Sequence, residues 1–168
     1  AGNIWIHESN HWKNNIYNSA KNGGLTGAAR PEDFFSDERS KSFSKKRLRY
    51  ILSRYGYSVY LPVIELLSEV DNAVPGIDDK TAAGIQKKKN FRIWFAEMKH
   101  YIEVTLGYPD KIISVSSTQN NQHEKISEGP FPLTDVVLLH FYGRHKYTNY
   151  ENRYVHTNAF RENKDTRY

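Results

Sequence analysis

Cysteine is absent from the chain, which excludes disulfides and thiolate metal sites. That fits a reducing compartment, or a secreted bacterial protein that does without disulfides. No apolar run approaches the roughly 18 residues of a membrane span. Neither a signal peptide nor an internal repeat can be read. Acidic residues are the minority charge, 19 Asp and Glu against 24 Lys and Arg, for a net charge of +5. A polyanion partner is permitted by that balance. The cations fall in runs, however: Lys45, Lys46, Arg47 and Arg49 lie within one predicted helix, and Lys87, Lys88 and Lys89 sit just before another. Such runs usually form solvated faces, so nucleic acid is not the expected partner.

What is present is an ordinary globular composition, 38% hydrophobic and 26% charged over 168 residues, enough for one domain with a real core. Twelve Tyr and three Trp exceed what such a core needs. The excess suits flat ligands such as sugars, although surface Tyr alone would give the same count. The chain opens Ala1-Gly-Asn-Ile-Trp-Ile6, in or beside a strand. A domain rarely starts in its own core, so the chain is expected to be a mature or truncated one, a single domain over 1–168 that forms the central piece of something larger.

Ile4 to Ile6 reads as a short strand leading into His7-Glu8, and Ser9 to Arg30 as a long Asn/Gly-rich loop. Pro31 to Asp37 suggests a helical turn and a capping residue. From Glu38 to Tyr55 the pattern is helical, with Leu48, Ile51, Leu52 and Tyr55 on one stripe and Gly56 as the residue that ends it. Leu61-Pro-Val-Ile-Glu-Leu-Leu-Ser-Glu-Val-Asp71 is an apolar run of strand length that ends in a Ser-Glu pair. Glu65 within that run is expected to anchor a buried Arg. A second helix over Lys89 to Leu106 places Phe91, Trp94, Phe95, Met98, Ile102 and Leu106 on one face, and Gly107 and Pro109 stop it. Two further strands follow, Lys111 to Ser117 and Asp135 to His140.

Apolar strands alternating with amphipathic helices indicate an α/β fold with a parallel sheet. In such folds the C-terminal strand ends open on one rim, where ligands bind. Here those ends carry His7-Glu8, Ser68-Glu69, Ser116-Ser117-Thr118 and His140 with Tyr142. Their convergence follows from the pattern alone.

The same residues carry a family likeness. The Leu61–Asp71 run resembles the strand-four signature of clan A glycoside hydrolases, the cellulase and β-mannanase type of (β/α)8 barrel, which reads roughly Trp-Glu-Leu-x-Asn-Glu. Asn18-Ser-Ala-Lys-Asn-Gly-Gly24, Pro31-Glu-Asp-Phe-Phe35, Lys46-Arg-Leu-Arg-Tyr-Ile51 and Arg54-Tyr-Gly-Tyr-Ser58 are similar to the segment from strand three to strand four. Trp94, Glu97 and Met98 resemble the next helix, Tyr108-Pro109 the turn into strand five, and Asp135 with His140-Phe-Tyr142 strand six. The resemblance implies a partial barrel, strands three to six, acting on a β-linked poly- or oligosaccharide outside the cell or on its surface. It implies Glu69 as general acid/base, a role that needs a carboxyl able to hold a proton. Ser68, His140, Tyr142, His7, Glu8 and Trp12 would line the sugar subsites, with Tyr17 a further aromatic platform. No cofactor is implied; further chain segments or a larger assembly are.

The departures point to an alternative. The family Asn before the acid/base is Ser68, and the Trp before the first Glu is Ile64. That Asn holds the sugar 2-hydroxyl, a contact that strengthens in the transition state. The family nucleophile, a Glu ending strand seven, has no match, since Glu151, Glu162 and Asp165 lie in polar, aperiodic sequence. A degenerate, non-catalytic glycan-binding or structural surface protein therefore stands beside the hydrolase. More remotely, His7-Glu-Ser-Asn-His11 matches the H-E-x-x-H zinc motif, but it lacks the helical context and a third ligand, so no metal is expected.

Overall fold

In a computed structural model, residues 12–77, 80–117 and 134–139 are described. The fold is mixed α/β, built on a three-stranded parallel sheet. After a 3-10 turn at Pro31–Phe35 come helix α1 (Glu38–Tyr55), strand β1 (Val63–Leu67) and the one-turn helix α2 (Val70–Ala73). Helix α3 (Ala82–His100) continues into a π-turn over Tyr101–Thr105 and is followed by β2 (Ile112–Ser117) and β3 (Val136–Leu139). The sheet order is β1-β2-β3, each neighbour parallel. Parallel neighbours need a crossover, and α3 supplies the one between β1 and β2.

β2 is the central strand, buried on both faces. Ile113 and Val115 join the hydrophobic core, while Ser114 and Ser116 alternate with them and are equally buried. α3 and the π-turn that continues it supply the largest share of the core. Phe91, Trp94, Phe95 and Met98 of α3 and Ile102 of the turn are all buried at the spacing expected of one helical face. Phe35 of the 3-10 turn meets that face edge-on, 5.1 Å from Phe91 and 5.3 Å from Trp94, and Phe34 packs on Trp94 at 5.7 Å with its ring tilted.

α1 and α3 are tied by ions as well. Lys41 Nζ lies 3.1 Å from Glu97 Oε2, and Lys45 Nζ lies 2.6 Å from Glu97 Oε1. Burial pushes Glu97 up, but hydrogen bonds and charge from Lys45 and Lys41 more than reverse this, leaving it below the ordinary carboxylate value. Lys41 is correspondingly raised, through its hydrogen bond to Glu38 and then through Glu97. Asp37 caps α1: its carboxylate accepts from the Ser40 amide and hydroxyl, both at 2.7 Å, and from the Gly27 amide at 3.0 Å.

Several expectations need correction. α3 begins at Ala82, not Lys89, because Thr81 accepts from the Gly84 amide at 3.1 Å and starts the helix early. Lys87, Lys88 and Lys89 are thus inside the helix, and Lys87 reaches the Pro75 carbonyl at 2.8 Å. Gly56 ends α1 in a right-handed conformation (φ −62°), so left-handed freedom is not its purpose. A Cβ there would lie 2.5 Å from the Leu52 carbonyl and from the Tyr108 ring. Tyr55 is exposed, and the buried face of α1 is completed instead by Ser40 and Ser44. Glu65 is exposed on β1 and, among the described residues, anchors no buried Arg. Of the basic run, Lys45 belongs to the contact with α3 through Glu97, and Arg49 Nε donates to the Tyr101 hydroxyl at 3.2 Å.

Residues 12–30, expected as a loop, form a tightly hydrogen-bonded set of turns. Thr26 Oγ1 donates to the Tyr17 carbonyl at 2.6 Å, and Asn18 Nδ2 to the Trp12 carbonyl at 3.0 Å. The strand expected at Ile4 to Ile6 lies outside the described residues.

Candidate functional site

The C-terminal ends of β1 and β2 form the site. β1 pairs evenly with β2 from Val63↔Ile112 to Glu65↔Ser114, then slips, so that Leu67 opposes Val115 and Leu66 is the extra residue. A bulge of this kind bends a strand and re-aims the side chains beyond it, and bulges are common beside active sites. Beyond it stand Ser68 and Glu69.

Glu69 departs from its surroundings twice. It is 2% exposed. It also has φ 54° and ψ 59°, and is the one described non-glycine residue with a positive φ. For a side chain with a Cβ this left-handed conformation costs about 1–2 kcal/mol, so the surroundings must impose it. Hydrogen bonds on both sides of the residue contribute. The Glu69 carbonyl accepts from the Ala73 amide at 2.8 Å, closing α2, and the Glu69 amide donates to Ser116 Oγ at 2.9 Å. Ser116 comes from the neighbouring strand, 47 residues on. Its Oγ also lies 3.4 Å from Ser68 Oγ, a loose contact.

The opposite end of the sheet is polar for another reason. Asp135 exchanges backbone and side-chain hydrogen bonds with Ile113: its amide donates to the Ile113 carbonyl at 2.9 Å, and its Oδ2 accepts from the Ile113 amide at 2.8 Å. Its other oxygen accepts from Lys99. This cluster clamps the starts of β2 and β3, the end of a parallel sheet where polar groups serve stability.

Of the site residues expected from sequence, Ser68 and Glu69 are brought together, and Ser116 joins them from the next strand end. Trp12 is 5% exposed, with its indole N–H donating to the Ala29 carbonyl at 2.8 Å and its ring in the hydrophobic core. Tyr17 is buried too, edge-on to Phe34 at 4.8 Å. Neither ring therefore presents a broad face to solvent. His7, Glu8, His11, His140 and Tyr142 lie outside the described residues. Among the described residues no cluster of His, Cys, Asp and Glu is arranged to hold a metal, and no helix is long and apolar enough to cross a membrane. Ser116 was legible as part of a polar strand end; its bond to the Glu69 backbone was not, because the conformation that aims that amide has no signal in a Glu.

Compared with protein-family models, curated proteins and solved structures, the chain matches none.

Proposed function

We propose that this chain is the strand-three to strand-six portion of a (β/α)8 barrel of the clan A glycoside hydrolase type, cleaving a β-linked poly- or oligosaccharide outside the cell or on its surface. One observation carries the reading. A buried carboxylic acid residue, Glu69, stands at the C-terminal end of a parallel strand, beyond a bulge, in a backbone conformation its neighbours must impose. Strained, over-determined residues cluster at functional sites, and strand C-termini are where parallel α/β folds do chemistry.

In this reading Glu69 gives its proton to the glycosidic oxygen as the bond to the anomeric carbon breaks. A second carboxylate takes the sugar as a covalent ester; it lies about 5–5.5 Å from the first in retaining enzymes and comes from strand seven in this family. Glu69, now ionised, takes a proton from the water that hydrolyses the ester. Every proton is returned, and the anomeric configuration is kept.

The test is early-time proton NMR of the products that the full-length protein releases from β-1,4-linked glucan and mannan. The reading predicts that the β-anomer appears first and mutarotates later. An α-anomer first, or no release from any β-linked glycan, would count against it.

Ser68 favours a second reading, a glycan-binding protein without turnover. Where the family has an amide able to reach the sugar 2-hydroxyl, this chain has a short hydroxyl facing Ser116. Under that reading the protein binds the same glycans, releases no sugar, and loses little affinity on Glu69→Gln.

A further inference from the structure

The hydrogen bond between the Glu69 amide and Ser116 has a role that the hydrolase reading alone does not assign. Ser116 is fully buried on the central strand and pairs with Leu138 of β3 on its far side. Its hydroxyl oxygen is thus fixed to the most enclosed strand of the sheet. Glu69, by contrast, sits at the turn between β1 and α2, where a one-turn helix offers little rigidity of its own. The hydrogen bond from the Ala73 amide is local to that turn. The bond to Ser116 ties the Glu69 backbone to the central strand of the sheet. Because Ser116 accepts from the amide, its own proton points elsewhere, and Ser68 at 3.4 Å is near enough only for a loose contact.

We propose that Ser116 is a positioning residue for the Glu69 carboxyl: by accepting the Glu69 amide it holds the left-handed turn that aims the side chain at the reacting bond. The assignment rests on the hydrolase reading for what the carboxyl does, but not for the clamp itself. Without the acceptor, the Glu69 amide loses its hydrogen bond to β2, and the left-handed turn loses that tie to the sheet.

Ser114 provides an internal control. It is equally buried on the same strand, and its hydroxyl donates to the Val136 carbonyl at 2.9 Å. Loss of a buried hydroxyl from β2 is common to Ser114→Ala and Ser116→Ala; loss of the Glu69 clamp belongs to Ser116→Ala alone.

The experiment compares wild type, Ser116→Ala and Ser114→Ala in the full-length protein, reading kcat and KM on a β-1,4-linked oligosaccharide and amide hydrogen exchange at Glu69 by NMR. A displaced catalytic group costs on the order of 10- to 100-fold. The expected result is a fall of that size in kcat for Ser116→Ala, with KM within about twofold, and Glu69 exchange faster by about tenfold or more. Ser114→Ala is expected to leave both near wild type. The proposal is overturned if Ser116→Ala keeps kcat and Glu69 exchange near wild type, or if the two variants fall alike. Ser116→Cys keeps the shape and weakens the acceptor; it shows the same split in smaller measure and serves if the alanine variant does not fold. A wild type that releases no sugar defeats the hydrolase reading; unchanged Glu69 exchange in Ser116→Ala defeats the clamp on its own.

Discussion

Glu69 concentrates the chain's local conflict: a long acidic side chain, buried, on a backbone conformation suited to glycine. The strain can be isolated by deleting the side chain in two ways. Glu69→Ala and Glu69→Gly both remove the carboxyl and the chain beyond Cβ, but only Ala keeps the Cβ and its left-handed penalty, so the Gly variant is expected to be more stable by about 1 kcal/mol. Urea denaturation of the pair measures this, and it reverses the usual ranking of Ala over Gly in helices. A second residue-scale expectation concerns Trp12. Trp12→Phe removes the N–H that satisfies the Ala29 carbonyl, at a cost of about 1 kcal/mol plus any loss of packing, visible as a lower Tm. The burial of Trp12 was not legible, because an aromatic in an aperiodic Asn/Gly-rich stretch looks the same whether it covers a core or a ligand. The place of Glu69 at a strand end was legible, because an apolar run ending in Ser-Glu marks where a strand leaves the core. Its positive φ was not, since nothing in a Glu codon announces a conformation that distant Ser116 helps to impose.

At the scale of elements, α1 was readable to its ends because Asp37 offers an N-cap, Leu48, Ile51 and Leu52 keep helical spacing, and Gly56 ends it. The start of α3 was not, because its first two turns, Ala82 to Lys89, show little apolar periodicity and rely on Thr81. Gly56 shows how one residue type answers two demands: it was expected for a left-handed end, and it is needed for the Tyr108 ring. Gly56→Ala is therefore expected to cost about 1–3 kcal/mol through overpacking, measured by thermal or urea unfolding. The Glu97 bridge between α1 and α3 makes a prediction with a sign. Glu97 is held below its ordinary value, so its contribution is present above about pH 4.5 and is lost as pH falls through the lower folded value. Lys41 is raised, so its contribution is present below about pH 10.5 and is lost as pH rises through the higher folded value. The stability gap between wild type and Glu97→Gln, about 1 kcal/mol for a partly exposed pair, is expected to be flat between those limits and to close as pH falls through the lowered folded value of Glu97.

For the whole molecule, the parallel sheet followed from alternation alone: strands too apolar to face water, separated by helices with one apolar face, need crossovers and so lie parallel. That topology places Ser68, Glu69 and Ser116 at one end of the sheet and the Asp135–Lys99 clamp at the other, a separation that individual residue types do not reveal. The proposed activity therefore rests on one carboxyl and its setting. The measurement that tests it most directly is the rate at which full-length wild type and Glu69→Gln cleave β-1,4-linked oligosaccharides, beside an aryl glycoside whose leaving group needs no proton. Glu69 as acid/base predicts a loss of about 10²- to 10⁴-fold on the oligosaccharide and a much smaller loss in the first step on the aryl glycoside. Equal turnover by the two proteins on the oligosaccharide would contradict it.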